Sequence, residues 1–211
     1  MNRTPLLLLA CLPLALSALQ GCVPAAVVGA GAAVLSYEDR RTSGTQVEDE
    51  GIELRAANRI GERYGDKVHI NVTSYNRSVL LTGEASDEKT KAEIEKMALG
   101  VPNVRGVTND IQVAGTSSFG ARSNDSFITS KIKARFVDGR KFNPVHVKVV
   151  TEAAVAYLLG IVTEKEAADA VEIARTTGGV RKVIRVFEYC KSSDELCRPR
   201  TQAKGEEAKK K

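Results

Sequence analysis

The sequence is poor in the residues that enzymes and metal sites use. Only two of its 211 residues are histidine and four are cysteine. His69 and His146 begin equivalent strands of two repeated segments, which predicts a shared structural role. No Gly-x-Ser-x-Gly motif accompanies them, and Cys190 and Cys197 have no nearby histidine to complete a metal site. We therefore expect no catalytic residue, no metal site and no cofactor.

Aromatic residues and concentrated positive charge are also scarce. Aromatic side chains make up 5% of the chain, without the stacking set of an RNA-binding sheet. The net charge is +5, of which +3 lies in residues 191–211 and +1 on Arg3. The body of the chain is thus close to neutral, and we expect no nucleic-acid partner.

Long apolar runs are absent except at the N-terminus. Arg3 precedes LLLLACLPLALSAL, which is too short and wrongly flanked for a membrane-spanning helix. We interpret residues 1–21 as a removed export signal. It ends in Leu-Gln-Gly-Cys22, which resembles the bacterial lipobox and implies cleavage after Gly21 and diacylation of Cys22. Val23 then implies sorting to the outer membrane; an ordinary signal peptide with a coincidental cysteine is the alternative.

Export bears on the remaining cysteines. Cys11 leaves with the signal and Cys22 is the lipidation site, so Cys190 and Cys197 remain as a pair in an oxidising compartment. The sequence therefore predicts a disulfide that closes a small C-terminal loop.

The middle of the chain is duplicated. DEGIELRAANRI (49–60) aligns with DSFITSKIKARF (125–136) at an offset of 76, and Gly83 aligns with Gly160 at an offset of 77. Each copy predicts the order αββαβ, from the 3.6-residue and two-residue periods of its apolar positions. We therefore predict an α+β protein with two tandem domains, each a three-stranded sheet with two helices on one face.

The alignment also sets the expected boundaries and two structural positions. Gly83 and Gly160 each end a strand run, which indicates a positive φ or a close backbone approach. The segments that we predict are a signal peptide (1–21), a lipidated tether (22–48), a first domain (49–113), a linker (114–124), a second domain (125–189) and a tail with the cysteine pair and many lysines (190–211).

These features together resemble a known family. The lipobox, the two αββαβ units and the stretches LLTGEASDEKTKAEIEKMALGV and VTEKEAADAVEIARTTGGVRKV are similar to those of outer-membrane lipoproteins with two BON domains. The resemblance covers the signal and residues 49–189. It implies a non-enzymatic protein that faces the periplasm and binds phospholipid. It also implies a role in envelope integrity and recruitment to division sites. The cysteine pair and the tail lie outside the shared pattern.

The two copies differ in the first helix. Ile128, Ile132 and Phe136 form its core stripe in the second copy, whereas Phe127 lies roughly 140° from the centre of that stripe. The equivalent of Phe127 in the first copy is Gly51. The net charge of residues 125–141 is +3, against −1 for residues 49–65.

An aromatic ring beside lysines is typical of a helix that docks on an anionic bilayer. We predict that phosphatidylglycerol or cardiolipin contacts Phe127, Lys131, Ile132, Lys133 and Arg135, although Ile132 also belongs to the core stripe. Packing of Phe127 within the protein is the alternative. For the whole protein, the alternative is a periplasmic adaptor for outer-membrane assembly or peptidoglycan-remodelling proteins.

Overall fold

The computed structural model describes residues 39–194 and 196–197, which belong to one compact unit, Glu38–Lys211. The predictions for the signal peptide, Cys22 and residues 23–38 lie outside the described residues, as does the end of the tail. Within the described ranges, no helix is long and apolar enough to cross a membrane.

The first repeat begins with a long helix and continues into a mixed sheet. Its elements are α1 (Ser43–Tyr64), β1 (His69–Tyr75), β2 (Ser78–Ala85), α2 (Glu88–Leu99), β3 (Gly106–Asn109) and β4 (Gln112–Val113). The central strand β2 pairs antiparallel with β1 and parallel with β3 and β4. We expected a single last strand here, but its pairing with β2 is interrupted at Asp110 and Ile111, which separates β3 from β4. At this interruption the Asn109 side-chain oxygen accepts a hydrogen bond from the Ile111 amide at 3.2 Å.

The second repeat has the same order with an unbroken last strand. Its elements are α3 (Phe119–Gly139), β5 (Val147–Glu152), β6 (Val155–Val162), α4 (Glu164–Arg175) and β7 (Lys182–Tyr189). Strand β6 is central, antiparallel to β5 and parallel to β7. The predicted α+β class with two αββαβ units is confirmed.

The helices of each repeat cover one face of its sheet. Apolar residues at every fourth position of the two first helices are buried. They are Ile52, Ala56 and Ile60 in α1, and the predicted stripe of Ile128, Ile132 and Phe136 in α3. They pack with the second helix of the same repeat over the strands. Burial of these regularly spaced apolar side chains holds each helix against its sheet.

The other faces of the two sheets pack against each other. Tyr75 and Leu80 of the first sheet share a buried cluster with Tyr157, Leu159 and Ile161 of the second. The molecule therefore has four layers, with helices outside and two sheets inside.

The C-terminal loop joins this central cluster. A disulfide connects Cys190 and Cys197, whose Cα atoms are 6.1 Å apart, and Cys197 is buried. The predicted disulfide is thus present, and it holds the end of the described chain against the inner layers.

Both first helices begin earlier than we expected. Helix α1 starts at Ser43, with the Thr42 side chain accepting the Thr45 amide, and α3 starts at Phe119, with the Ser118 side chain accepting the Ala121 amide. The expected tether (22–48) and linker (114–124) therefore each include about one and a half turns of helix. Their Gly, Ser and Thr residues suggested loops, whereas capping by hydroxyl groups stabilises the added turns.

The two glycines occupy places where a side chain cannot fit. A Cβ on Gly83, whose φ is +107°, would lie 1.9 Å from the His69 carbonyl oxygen. A Cβ on Gly160 would lie 2.3 Å from the His146 carbonyl oxygen. The two sites thus share a close backbone approach, and only Gly83 also has a positive φ.

Candidate functional site

Phe127 lies on the outer surface of α3. Its side chain is 61% exposed, and the Lys131 ammonium lies 4.8 Å from the centre of its ring. Phe119, the other aromatic residue in the N-terminal half of α3, is itself 80% exposed. The core stripe on the opposite side of α3 holds the helix against the sheet, so the ring faces solvent on a rigid element.

The basic side chains next to Phe127 are held by neutral groups. Lys131 donates a hydrogen bond to the Gly178 carbonyl oxygen. Arg135 donates to the Ile173 carbonyl oxygen at 2.8 Å and to the Thr177 hydroxyl at 2.6 Å, at the C-terminal end of α4. Among the described residues neither cation pairs with a carboxylate, so both charges remain available to an external anion.

Two predicted contact residues do not belong to this surface. Ile132 is fully buried in the core of the second domain, so its assignment as a lipid contact is wrong. Lys133 lies roughly 120° around the helix axis from Phe127, on the side away from Lys131. It lines a groove between the domains together with Glu50. The structure places Lys131 against the Phe127 ring, with Arg135 one helical turn beyond Lys131.

Sequence reasoning missed two exposed apolar residues on the same helix. Phe119 and Val137 are 80% and 61% exposed, and both lie roughly 80° from Phe127 in the same direction. Ser123, Ser130 and Ala134 occupy the sector between them. The helical spacing of both residues can be read from the sequence. Phe119 was missed because residues 114–124 were predicted to be a linker, and Val137 was missed because the aligned helix segment ended at residue 136. We call the surface formed by Phe119, Phe127, Lys131, Arg135 and Val137 the α3 face.

The first domain arranges its equivalent residues differently. Gly51 stands in place of Phe127, and Arg55, in place of Lys131, pairs with Glu48 at 2.6 Å. Arg59, in place of Arg135, donates to the Gly100 carbonyl oxygen at 2.9 Å. The capping arginine is therefore shared by both copies, whereas the exposed ring and the unneutralised lysine occur in the second copy.

The histidines have the structural surroundings expected of them. The carbonyl oxygens of His69 and His146 face the two glycines described above. The His146 ring lies 3.4 Å from Glu166, a residue that also pairs with Arg40 at 2.7 Å. Burial would raise the pKa of Glu166, but hydrogen bonds from His146, Arg40 and the Thr163 amide hold this pKa well below its usual range. This cluster joins the start of the described chain to the second domain.

Residues that could hold a metal ion do not converge in the described part of the chain. No group of three or more His, Cys, Asp or Glu side chains has suitable geometry there.

Comparison with known proteins assigns both repeats. A family model described as the BON domain matches residues 48–115 and 124–191. The chain belongs to the BON-domain family. Both matched ranges coincide with one αββαβ unit each, and the α3 face lies within the second BON domain, apart from Phe119.

Several curated proteins are similar over much of their length. The outer membrane lipoprotein DolP of Haemophilus influenzae is 39% identical over 90% of this chain and 99% of its own. The 21 kDa hemolysin of Actinobacillus pleuropneumoniae is 35% identical over 72% of this chain and 79% of its own. The osmotically-inducible protein Y of Escherichia coli is 32% identical over 54% of this chain and 58% of its own. The first of these is named as a lipoprotein rather than an enzyme.

Proposed function

We propose that this protein is an outer-membrane lipoprotein, anchored through acylated Cys22 and facing the periplasm, whose second BON domain binds anionic phospholipid. The ligands are phosphatidylglycerol and cardiolipin headgroups, and the contact supports envelope integrity and recruitment to division sites. The similarity to DolP supports the anchor and the location. The exposed ring of Phe127 in contact with Lys131, which pairs with no carboxylate among the described residues, is the observation that carries the lipid contact.

The α3 face has the chemistry of an interfacial helix. Phe119, Phe127 and Val137 extend along about 27 Å of helix, which allows α3 to lie in the plane of the bilayer surface. Lys131 and Arg135 border this apolar line on one edge, where they would meet lipid phosphates. Asp138 lies roughly 20° around the helix from Phe127, so its carboxylate is on the same side and limits how deeply the C-terminal end of α3 can enter the bilayer.

The expected intrinsic affinity is modest. Transfer of the Phe127 side chain into an apolar environment contributes at most about 1.5–3 kcal/mol. Each cation near an anionic surface contributes about 1 kcal/mol, which salt screens. The acyl anchor compensates, because it keeps the domain at a high effective concentration near the membrane.

Vesicle flotation with an unlipidated fragment tests the lipid contact. The fragment should start at Glu38, because Arg40 and Arg41 make buried ion pairs with Glu166 and Asp49 that a later start would remove. We expect it to float with phosphatidylglycerol vesicles at low salt, less at high salt, and not with phosphatidylcholine vesicles.

Variants then localise the contact. Phe127→Ala and Lys131→Glu should each reduce flotation several-fold while the melting temperature is retained. Lys89→Glu is the matched control, because it makes the same charge change at an exposed helical lysine of the first domain, away from the α3 face. Equal loss in Lys131→Glu and Lys89→Glu would indicate general charge attraction and contradict the assigned site. No flotation of the wild-type fragment at low salt would favour the adaptor, for which the exposed Val47 and Leu54 of α1 offer a surface.

A further inference from the structure

Residues 39–41 precede α1 and are buried, although they belong to no helix or strand. The side chains of Arg40 and Arg41 are 8% and 14% exposed, and Asp39 is buried as well. Arginine side chains are seldom buried unless they are paired. Two consecutive buried arginines at the start of the described chain therefore indicate that specific contacts hold this segment in place.

Arg40 is bound to the second domain. Its guanidinium donates to both carboxylate oxygens of Glu166, at 2.7 and 3.0 Å, and to the Ile161 carbonyl oxygen at 2.7 Å. Glu166 also accepts the Thr163 amide at 2.8 Å in the capping box of α4. A bidentate pair between arginine and carboxylate fixes the orientation of both groups. Arg40 is thus held at the start of α4.

Arg41 is bound to the first domain. Its guanidinium pairs with Asp49 of α1 at 2.9 Å and lies 4.1 Å from the centre of the Tyr75 ring. The Asp39 carboxylate accepts a hydrogen bond from the same guanidinium at 2.8 Å, which fixes the conformation of the segment. Tyr75 belongs to the buried cluster between the two sheets. Neighbouring residues of the chain therefore bind different domains.

We propose that residues 39–41 form a strap that holds the two BON domains together. The Cα atoms of neighbouring residues are about 3.8 Å apart, so the domains cannot separate while both arginines stay bound. At the repeat offset of 76, Thr116 and Ser117 stand in place of Arg40 and Arg41. The strap is thus an addition to the first repeat and not a part of the duplicated fold.

The position of the strap links the arrangement of the domains to the tether. Residues 23–38 are the chain between the strap and Cys22. A pull on an anchor at Cys22 would therefore act on the junction of the domains before it acts on α1. This link depends on the proposed lipidation of Cys22, whereas the strap itself depends neither on lipidation nor on lipid binding by the α3 face.

Thiol labelling tests the strap in the chain from residue 22 onward with Cys22→Ser, in which the C-terminal disulfide leaves no other free thiol. Thr82→Cys probes the inner face of the first sheet. Thr82 is 1% exposed, and Asn71, its partner on β1, donates to Glu152 of the second domain at 2.5 Å. Ala98→Cys probes the core under the helices of the first domain, where Ala98 is fully buried. The first thiol reports separation of the domains, and the second reports unfolding of the first domain.

Variants decide whether the strap holds the domains. Arg40→Ala and Arg41→Ala should each raise the labelling rate of Thr82→Cys at least about tenfold, since each removes charge-assisted hydrogen bonds that oppose opening. The labelling rate of Ala98→Cys should stay unchanged. Arg59→Ala is the matched control and should change neither rate, because its hydrogen bond lies within the first domain. The proposal is overturned if neither strap variant speeds the labelling of Thr82→Cys, or if Arg40→Ala makes both thiols reactive together.

Discussion

The hairpin turn of the second domain should depend on one buried carboxylate. Asp125, in α3, accepts the amides of Ala153 at 2.9 Å and Ala154 at 2.8 Å. Both alanines have left-handed backbones, with φ of 48° and 61°. This conformation costs an alanine roughly 1–2 kcal/mol, so the turn needs the two hydrogen bonds.

The magnitude for Asp125→Ala follows from these contacts. A hydrogen bond to a charged group contributes about 1.5–3 kcal/mol, and water can replace part of it because Ala153 is exposed. We therefore expect the free energy of unfolding to fall by about 2–3 kcal/mol. Urea denaturation followed by circular dichroism measures this change.

The control for this experiment lies on the same helix. Asp138→Ala removes an exposed aspartate that has no partner in the described part of the chain, so the free energy of unfolding should change by less than about 0.5 kcal/mol. If Asp125→Ala changed stability no more than Asp138→Ala, the carboxylate would not hold the turn, and our reasoning would be refuted.

Two further predictions concern the core of each domain and its pH dependence. Gly83→Val and Gly160→Val should each lower the free energy of unfolding by at least about 2 kcal/mol, whereas Gly106→Ala, which meets open space, should have little effect in the same urea assay. Because Glu166 has a lowered pKa in the folded state, its contribution to stability is full well above pH 4.5, its usual pKa, and is lost progressively as the pH falls from there towards the folded-state pKa. Urea midpoints of Glu166→Gln and wild type should thus differ most at pH 7 and less at pH 3, and a constant or growing difference would contradict this sign.

Sequence periodicity predicted the repeat architecture because the apolar stripes of α1 and α3 recur every four residues. It did not predict how the sheets pack, although Tyr157–Val162 is apolar at consecutive positions, which is typical of a strand buried on both faces. Asp49 and Asp125 occur at the repeat offset, but nothing in the local pattern shows that they bind the turns of hairpins formed by residues about 28 positions later.

The candidate site was predicted in part. The position of Phe127 around the helix predicted that its side chain is exposed. The position of Ile132 in the core stripe predicted that its side chain is buried, so Ile132 should not have been included among the lipid contacts. The groove around Lys133 could not be derived from sequence, because it depends on how residues from both domains meet.

The most direct test of the lipid contact uses the absence of tryptophan from this chain. Phe127→Trp introduces a single tryptophan at the centre of the α3 face, and Leu54→Trp introduces one at an exposed site in the first domain. With phosphatidylglycerol vesicles, the emission of Phe127→Trp should shift to shorter wavelength and be quenched by brominated acyl chains, while Leu54→Trp stays unchanged. Unchanged emission and no quenching in Phe127→Trp would contradict membrane contact through this face.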